Sequence, residues 1–180
     1  SKISKSKNIK LIHISTDYVF DGNKDKAYLV TDTPNPQTIY GRTKLEGEFA
    51  MQKINPKNSI IIRTSWLYSK FGNNFFNTML NLSKIRKEIN VVSDQIGSPT
   101  NAGDLAKTIL TIIPKIKNYD VELFHYSNCG ECSWYEFAKA IFKLKKIDIV
   151  VNPINTDQFP TVAKRPRYSV LDTSKIEEIF

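Results

Sequence analysis

Leu11-Ile12-His13-Ile14-Ser15-Thr16-Asp17-Tyr18-Val19-Phe20-Asp21-Gly22 and, after a loop, Ile39-Tyr40-Gly41-Arg42-Thr43-Lys44 decide how this sequence is read. Ile9, Leu11, Ile12 and Ile14 make an apolar run of strand length, and Asp21-Gly22 is a turn signal beyond it. Thr16 and Asp17 fall where that strand should end. Residues 21 to 38 hold Gly22, Pro34, Pro36 and three aspartates, so an irregular, exposed loop is expected. A helix is then predicted from about Ile39 to Ile54, stopped by Asn55-Pro56. Tyr40 and Lys44 lie one turn apart on one face of it. A hydroxyl at a strand tip, a phenol and an ammonium can therefore converge on one point.

Such a trio suits hydride transfer to or from a carbonyl. A free phenol titrates near pH ~10, too high to exchange protons readily at neutrality. A lysine cation one turn away favours the phenolate and eases that exchange. A threonine hydroxyl can hold the substrate oxygen in line with the phenol. The same Tyr-Lys spacing also arises on helices whose tyrosine is core and whose lysine is solvated. The strand-tip hydroxyl 24 residues upstream is what favours the chemical reading.

Bulk properties narrow the classes. The 180 residues are 41% hydrophobic, enough for one core or two small ones. The net charge of +8 is dispersed, and the densest basic patch, Lys143, Lys145 and Lys146, reads as the solvated side of a helix. No nucleic-acid reader is expected, because basic residues interleaved with aromatics are missing. A basic surface would still attract a doubly anionic nucleotide sugar. No apolar run approaches a membrane span, and residues 1 to 10 lack the apolar centre of a signal peptide, so a cytoplasmic protein without membrane partners is expected.

Cys129-Gly130-Glu131-Cys132 is half of a zinc site without a second half, so no metal is expected. A redox pair would need low-pKa thiols, and although Cys132 does precede a helix, a redox role is not expected either. His13 and His125 each sit in an apolar stretch and read as strand or core positions.

Farther along, Ile60-Ile61-Ile62 is short and unalternating, like a buried parallel strand spanning Ser59 to Arg63. Strand, helix and strand in succession make one unit of a parallel sheet. Trp66 follows at the end where such sheets place ligands, as a core aromatic or a flat wall for a sugar ring. Asn73 and Asn74 precede a helix carrying Phe75, Phe76, Met79, Leu80 and Leu82, and capping is the preferred reading for them. Val91-Val92 reads as a short strand, Asn101 as the start of a helix ended by Pro114, and Leu123 to Ser127 as a further strand. Ser133 with Glu136 is a capping box, and Ile147 to Val151 reads as a last short strand. Arg165-Pro166-Arg167 offers guanidinium forks for a diphosphate, with plain surface charge as the competing reading. A final helix is expected from Asp172 or Thr173.

Ser15-Thr16-Asp17-Tyr18-Val19-Phe20-Asp21-Gly22 and Tyr40-Gly41-Arg42-Thr43-Lys44 resemble the extended short-chain dehydrogenase/reductases. Within them, Arg63-Thr64-Ser65-Trp66-Leu67-Tyr68, Asp94-Gln95-Ile96-Gly97-Ser98-Pro99-Thr100 and Arg165-Pro166 through Leu171-Asp172 resemble the dTDP-4-dehydrorhamnose reductase branch. The resemblance implies an α/β fold. It is the C-terminal part of a doubly wound, Rossmann-type parallel sheet with a small α+β substrate-binding portion. Residues 1–70 would be the remaining half of the dinucleotide domain. Residues 71–180 would mostly bind substrate, with the strand near 123–127 returning to the sheet.

The implied reaction is NAD(P)H-dependent reduction of the 4-keto group of dTDP-4-dehydro-L-rhamnose. Thr16, Tyr40 and Lys44 would be catalytic, with Tyr40 and Lys44 also holding the cofactor. Thr16, Asp17, Trp66 and Arg165 would touch the dTDP-sugar. Other readings are a non-catalytic binding module similar to the regulatory subunit of methionine adenosyltransferase, or an enzyme for another nucleotide sugar. None of the seven glycines forms the Gly-rich turn that cradles a pyrophosphate. The chain is thus expected to be a fragment lacking that N-terminal half and stopping short of the family's usual end, inactive alone. NADH and NADPH stay undistinguished, and strands at Ile9 and Ile60 are expected to expose an open sheet edge, a route to a homodimer.

Overall fold

A computed structural model describes residues 1–161 and 163–180. In chain order the elements are α1 (Lys2–Lys7), β1 (Leu11–Thr16), α2 (Ile39–Ile54), β2 (Ser59–Thr64), β3 (Leu67–Tyr68), α3 (Phe75–Leu82), β4 (Glu88–Val92), β5 (Ile96–Gly97), β6 (Thr100–Asn101), α4 (Ala102–Ile112), β7 (Glu122–Tyr126), β8 (Cys132–Ser133), α5 (Trp134–Lys145), β9 (Val150–Ile154) and α6 (Ser174–Ile179). The chain is α/β, built on parallel pairings.

The main sheet has the order β1-β2-β7, all parallel. Leu11 pairs with Ser59 and Thr16 with Thr64, so β1 and β2 end level, and Thr64 pairs with Tyr126. Their alternation sorts the side chains. Ile60, Ile62 and Phe124 point to α4 and α6 and form a core with Leu105, Ile112, Ile116 and Ile176. Ser15 and Arg63 point the other way, to α2. All six residues of β2 are buried, and its Ile60, Ile61 and Ile62 contribute roughly 1.5–3 kcal/mol each. The expectation that both strands expose an edge is therefore half corrected. The edge strand is β1, while β2 is covered on both sides by β1 and β7.

The second core packs α3 and α5 on the parallel pair β4-β9, with Met79, Ile89, Val91, Ala138, Ile141 and Phe142 at its centre. Its helices start where side chains satisfy their orphan amides. Asn74 accepts from the Asn77 N–H, and Ser133 and Glu136 close a full capping box; α4 of the first core is capped likewise, by Asn101 accepting from the N–H groups of Gly103 and Asp104. The first strand of this lobe is Glu88–Val92 rather than Val91-Val92 alone. The last is Val150–Ile154, three residues later than expected, because Ile147 is still engaged in ending α5. Its N–H donates to the Phe142 carbonyl while Lys146 turns left-handed. The basic, polar start of the chain forms α1, which its composition did not signal. Lys143, Lys145 and Lys146 are exposed, as a solvated helix face should be.

The loop after β1 is irregular but only partly exposed. Tyr28 is buried and bridges to Leu171, and its ring stacks on Phe20 with centroids 4.2 Å apart. This third cluster of Val19, Phe20, Leu45 and Leu171 ties the loop to the end of the chain. Among the described residues, no helix is long and apolar enough to cross a membrane.

Candidate active site

The site forms where β1 ends. Thr16 terminates the strand, and a 3₁₀ turn over Asp17–Val19 follows at once. The Thr16 hydroxyl, 5% exposed, accepts from the Tyr18 N–H and donates to Asp17 Oδ1 at 2.9 Å. Asp17 is itself buried, and among the described residues its second carboxylate oxygen has no hydrogen-bond partner. Burial pushes its pKa up to about 6, and the Thr16 hydroxyl opposes that rise.

Helix α2 brings the other two groups. Thr38 caps it by accepting the Gly41 N–H at 3.0 Å. Gly41 then runs against the 3₁₀ turn so closely that a Cβ there would lie 2.1 Å from the Tyr18 carbonyl oxygen. Only glycine permits this approach, and it places Tyr40 beside Tyr18 with ring centroids 5.8 Å apart, edge to face. Tyr40 stays 54% exposed. One turn on, Lys44 Nζ donates to the Ile14 carbonyl at 2.7 Å, which fixes the ammonium to β1 two residues from Thr16.

A cleft of about 520 Å³ opens beside this corner, lined among others by Tyr18, Trp66, Phe75, Gln95, Trp134 and Arg165. Trp66 sits just past β2 in a left-handed conformation, φ +45°, and stacks on Trp134 with centroids 3.4 Å apart and planes 6° from parallel. Gly97 in β5 leaves room for that ring, since a Cβ there would come within 2.5 Å of it. Arg165 is aimed by its neighbours. Gly22 adopts φ +79° where a Cβ would fall 2.4 Å from Pro166, the Tyr168 N–H donates to the Gly22 carbonyl, and Ile96 donates to that of Arg167. The turn after β1 thus clamps the Arg165-Pro166 segment over the cleft.

The sequence-derived residues fall into two groups. Trp66 and Arg165 line the cleft, while Thr16, Asp17, Tyr40 and Lys44 stand at the end of β1, outside its wall. Tyr18 joins them, because it lines the cleft and packs on Tyr40. Its phenol is pushed up by burial and by the Asp17 charge, and Arg165 pulls it down. Sequence reasoning passed over Tyr18, although it lies inside the deciding stretch, and over Trp134, which opens the capped helix α5. Arg167 is exposed and outside the cleft lining.

Cys132 does not have the surroundings of a reactive thiol. Cys132 is pushed up to about 11 by burial and then by Glu136, the opposite of a nucleophilic thiol. Among the described residues, no group of three His, Cys, Asp or Glu side chains could hold a metal ion. His13 and His125 lie in β1 and β7. The second is fully buried, with Nδ1 3.0 Å from the Tyr28 carbonyl oxygen, and burial followed by the Arg63 charge lowers its pKa to about 4.

Known proteins resemble the chain over nearly its whole length. The chain is 44% identical to a dTDP-4-dehydrorhamnose reductase of Aggregatibacter actinomycetemcomitans, over 96% of this chain and 62% of that protein. It is also 44% identical to the spore coat polysaccharide biosynthesis protein SpsK of Bacillus subtilis, over 93% of this chain and 57% of the other. Among solved structures, a dTDP-4-dehydrorhamnose reductase of Clostridium acetobutylicum superposes with a TM-score of 0.90 at 48% identity, covering 97% of this chain and 61% of that one. The enzyme of that name from Bacillus anthracis, in complex with NADP, gives 0.91 at 42% identity, with 97% and 61% covered. The chain therefore spans about 60% of the length of the relatives it matches. A model of the RmlD substrate binding domain matches residues 1–180, and the chain belongs to that family.

Proposed function

We propose that this chain carries the catalytic corner and the sugar-nucleotide cleft of an enzyme that reduces the 4-keto group of dTDP-4-dehydro-L-rhamnose to give dTDP-L-rhamnose. The observation that carries the reading is the Tyr40–Lys44 pair at the end of β1, joined through Tyr18 to an aromatic cleft that ends in Arg165. Relatives named dTDP-4-dehydrorhamnose reductase at 40–44% identity support it.

In this reading Tyr40, exposed at the corner, donates its phenolic proton to the carbonyl oxygen as C4 accepts a hydride. Lys44 steadies the phenol's charge and holds ribose hydroxyls of the cofactor. Thr16, whose hydroxyl accepts from the Tyr18 N–H and would turn its one proton from Asp17 to the substrate, positions the carbonyl oxygen, and Asp17, 2% exposed, acts on the sugar through that hydroxyl. Trp66 offers the sugar the part of its indole that Trp134 and Gly97 leave uncovered, and Arg165 a fork to the diphosphate. A nicotinamide dinucleotide supplies the hydride when bound. Tyr40 and Lys44 fit its ribose end, because both are presented at the open edge of β1. The NADP complex of the Bacillus anthracis relative favours NADPH over NADH.

The test is to follow oxidation of NADPH by the full-length protein with dTDP-4-dehydro-L-rhamnose, alongside titration calorimetry with dTDP. Turnover with this sugar is expected. Binding of dTDP without any turnover would identify a binding module instead. Faster turnover of dTDP-4-keto-6-deoxy-D-glucose, the sugar named for a 38% identical Streptomyces niveus relative, would change the sugar and keep the chemistry.

A further inference from the structure

The buried Glu48–Arg63 pair lies outside everything assigned so far. Arg63 Nη2 donates to Glu48 Oε2 at 2.7 Å and its Nε to Oε1 at 3.0 Å, a two-pronged fork. The Ser15 hydroxyl donates to the same Oε1. The side chains are 3% and 1% exposed, so water does not share this contact. Arg63 also lies over the Phe20 ring, 5.0 Å from its centroid, and its Nη1 has no hydrogen-bond partner among the described residues.

Where the pair sits gives it meaning. Tyr40, Lys44 and Glu48 follow one another at intervals of four on α2, so all three project from one stripe of the helix. That stripe meets β1 twice in succession, Lys44 at the Ile14 carbonyl and Glu48 at the Ser15 hydroxyl. Glu48 further crosses to β2 through Arg63. Ser15 is the neighbour of Thr16. Sliding or rotating α2 against the sheet would break the fork first, because a bidentate ion pair tolerates little displacement whereas packed methyl groups tolerate much.

We infer that Glu48 and Arg63 are positioning residues that lock the register of α2 on β1 and β2, and so hold Tyr40 beside Tyr18 and the Lys44 ammonium at the Ile14 carbonyl, at the end of β1. The inference rests on the proposed reduction for its kinetic consequence alone. A buried ion pair is commonly matched or exceeded in stability by apolar residues of like volume, so stability alone does not account for this one. A displacement near 1 Å in a reacting group can cost about a hundredfold in rate, which gives the register its importance.

The decisive variant is Glu48→Met with Arg63→Met in the full-length protein, with Arg63→Lys as its milder companion. For the double variant, melting temperature and dTDP affinity are expected to stay near the parent's, since neither residue lines the cleft. The turnover number should fall about 10- to 100-fold, with KM for the sugar nucleotide nearly unchanged. Arg63→Lys keeps a cation in place but loses the fork, and should lose about 3- to 10-fold in kcat. Amides of residues 42 to 45 should exchange with deuterium faster in both variants. Turnover within threefold of the parent for the double variant, or unchanged for Arg63→Lys should the double variant not fold, would overturn the inference. A parent protein that shows no turnover would refute the proposed function instead. In that case unchanged exchange at residues 42 to 45 in Arg63→Lys overturns the positioning role, and faster exchange upholds it.

Discussion

Gly41→Ala sets two effects of opposite sign against each other. Alanine is the better helix former, and in an unobstructed helix the change stabilises by about 1 kcal/mol. Here the new Cβ would sit 2.1 Å from the Tyr18 carbonyl oxygen, 2.9 Å from its carbon and 3.1 Å from Pro36 Cβ. The obstacle is backbone, held by the Phe20 N–H bond to Asp17 and by the Thr16 hydroxyl, so no side chain can swing aside. Reaching even 3.0 Å requires a retreat of 0.9 Å by the first turn of α2. Overpacking of this kind costs typically 1–3 kcal/mol, and more where backbone must move, so sterics win over propensity. A net loss of about 1–2 kcal/mol should lower the melting temperature by roughly 2–8 °C. Tyr40, the adjacent residue, moves with the helix, and kcat should fall up to about a hundredfold. Thermal melts and NADPH oxidation measure both. A variant that melts higher than the parent and turns over at full rate would show that Gly41 is not pressed on Tyr18.

Tyr40→Phe should lower kcat by about two to four orders of magnitude with little change in dTDP affinity; a Phe variant keeping most of its rate would remove Tyr40 from the proton transfer. Cys129→Ser with Cys132→Ser should leave melting temperature and turnover near the parent's, and stoichiometric zinc lost on that change would contradict it. Asp17→Asn should raise stability at neutral pH. The Asp17 carboxyl titrates about 6 when folded and near 4 when unfolded, so its burial penalty is absent below pH ~4, grows as pH rises to ~6 and persists above. His125, lowered to about 4, works the other way, its stability falling as pH drops below ~6.5. Removing Asp17 should therefore steepen the loss of melting temperature between pH 6.5 and 4, and parallel curves for parent and variant would refute the assignment.

Much of this architecture was readable because local signals were consistent. The span of α2 follows from Pro34, Pro36 and Asn55-Pro56, and β2 from three adjacent isoleucines. Trp66 and Arg165 stood out by chemistry and by family resemblance. What was not readable depends on distant pairing. Tyr18 and Trp134 are 116 positions apart in sequence yet line one cleft, and nothing local announces that. Arg63 is the exception that could have been found, since a charge closing an otherwise apolar buried strand requires a partner. Its partner Glu48 follows Lys44 at the same interval that separates Lys44 from Tyr40. The strand at Val150–Ile154 was misplaced because the left-handed stop at Lys146 needs no glycine there and so left no mark in the sequence.

Trp66 and Trp134 are the only two tryptophans in the chain. Their planes lie 6° from parallel with centroids 3.4 Å apart, close enough for electronic coupling to be expected. Their transition dipoles should couple into a paired positive and negative band in circular dichroism, and each should quench the other's emission. The protein's intrinsic fluorescence is thereby a local gauge of one cleft wall. A ligand sliding across that wall should alter emission before any backbone moves, and tryptophan-detected unfolding should report the parting of this stack, not the melting of the β1-β2-β7 sheet.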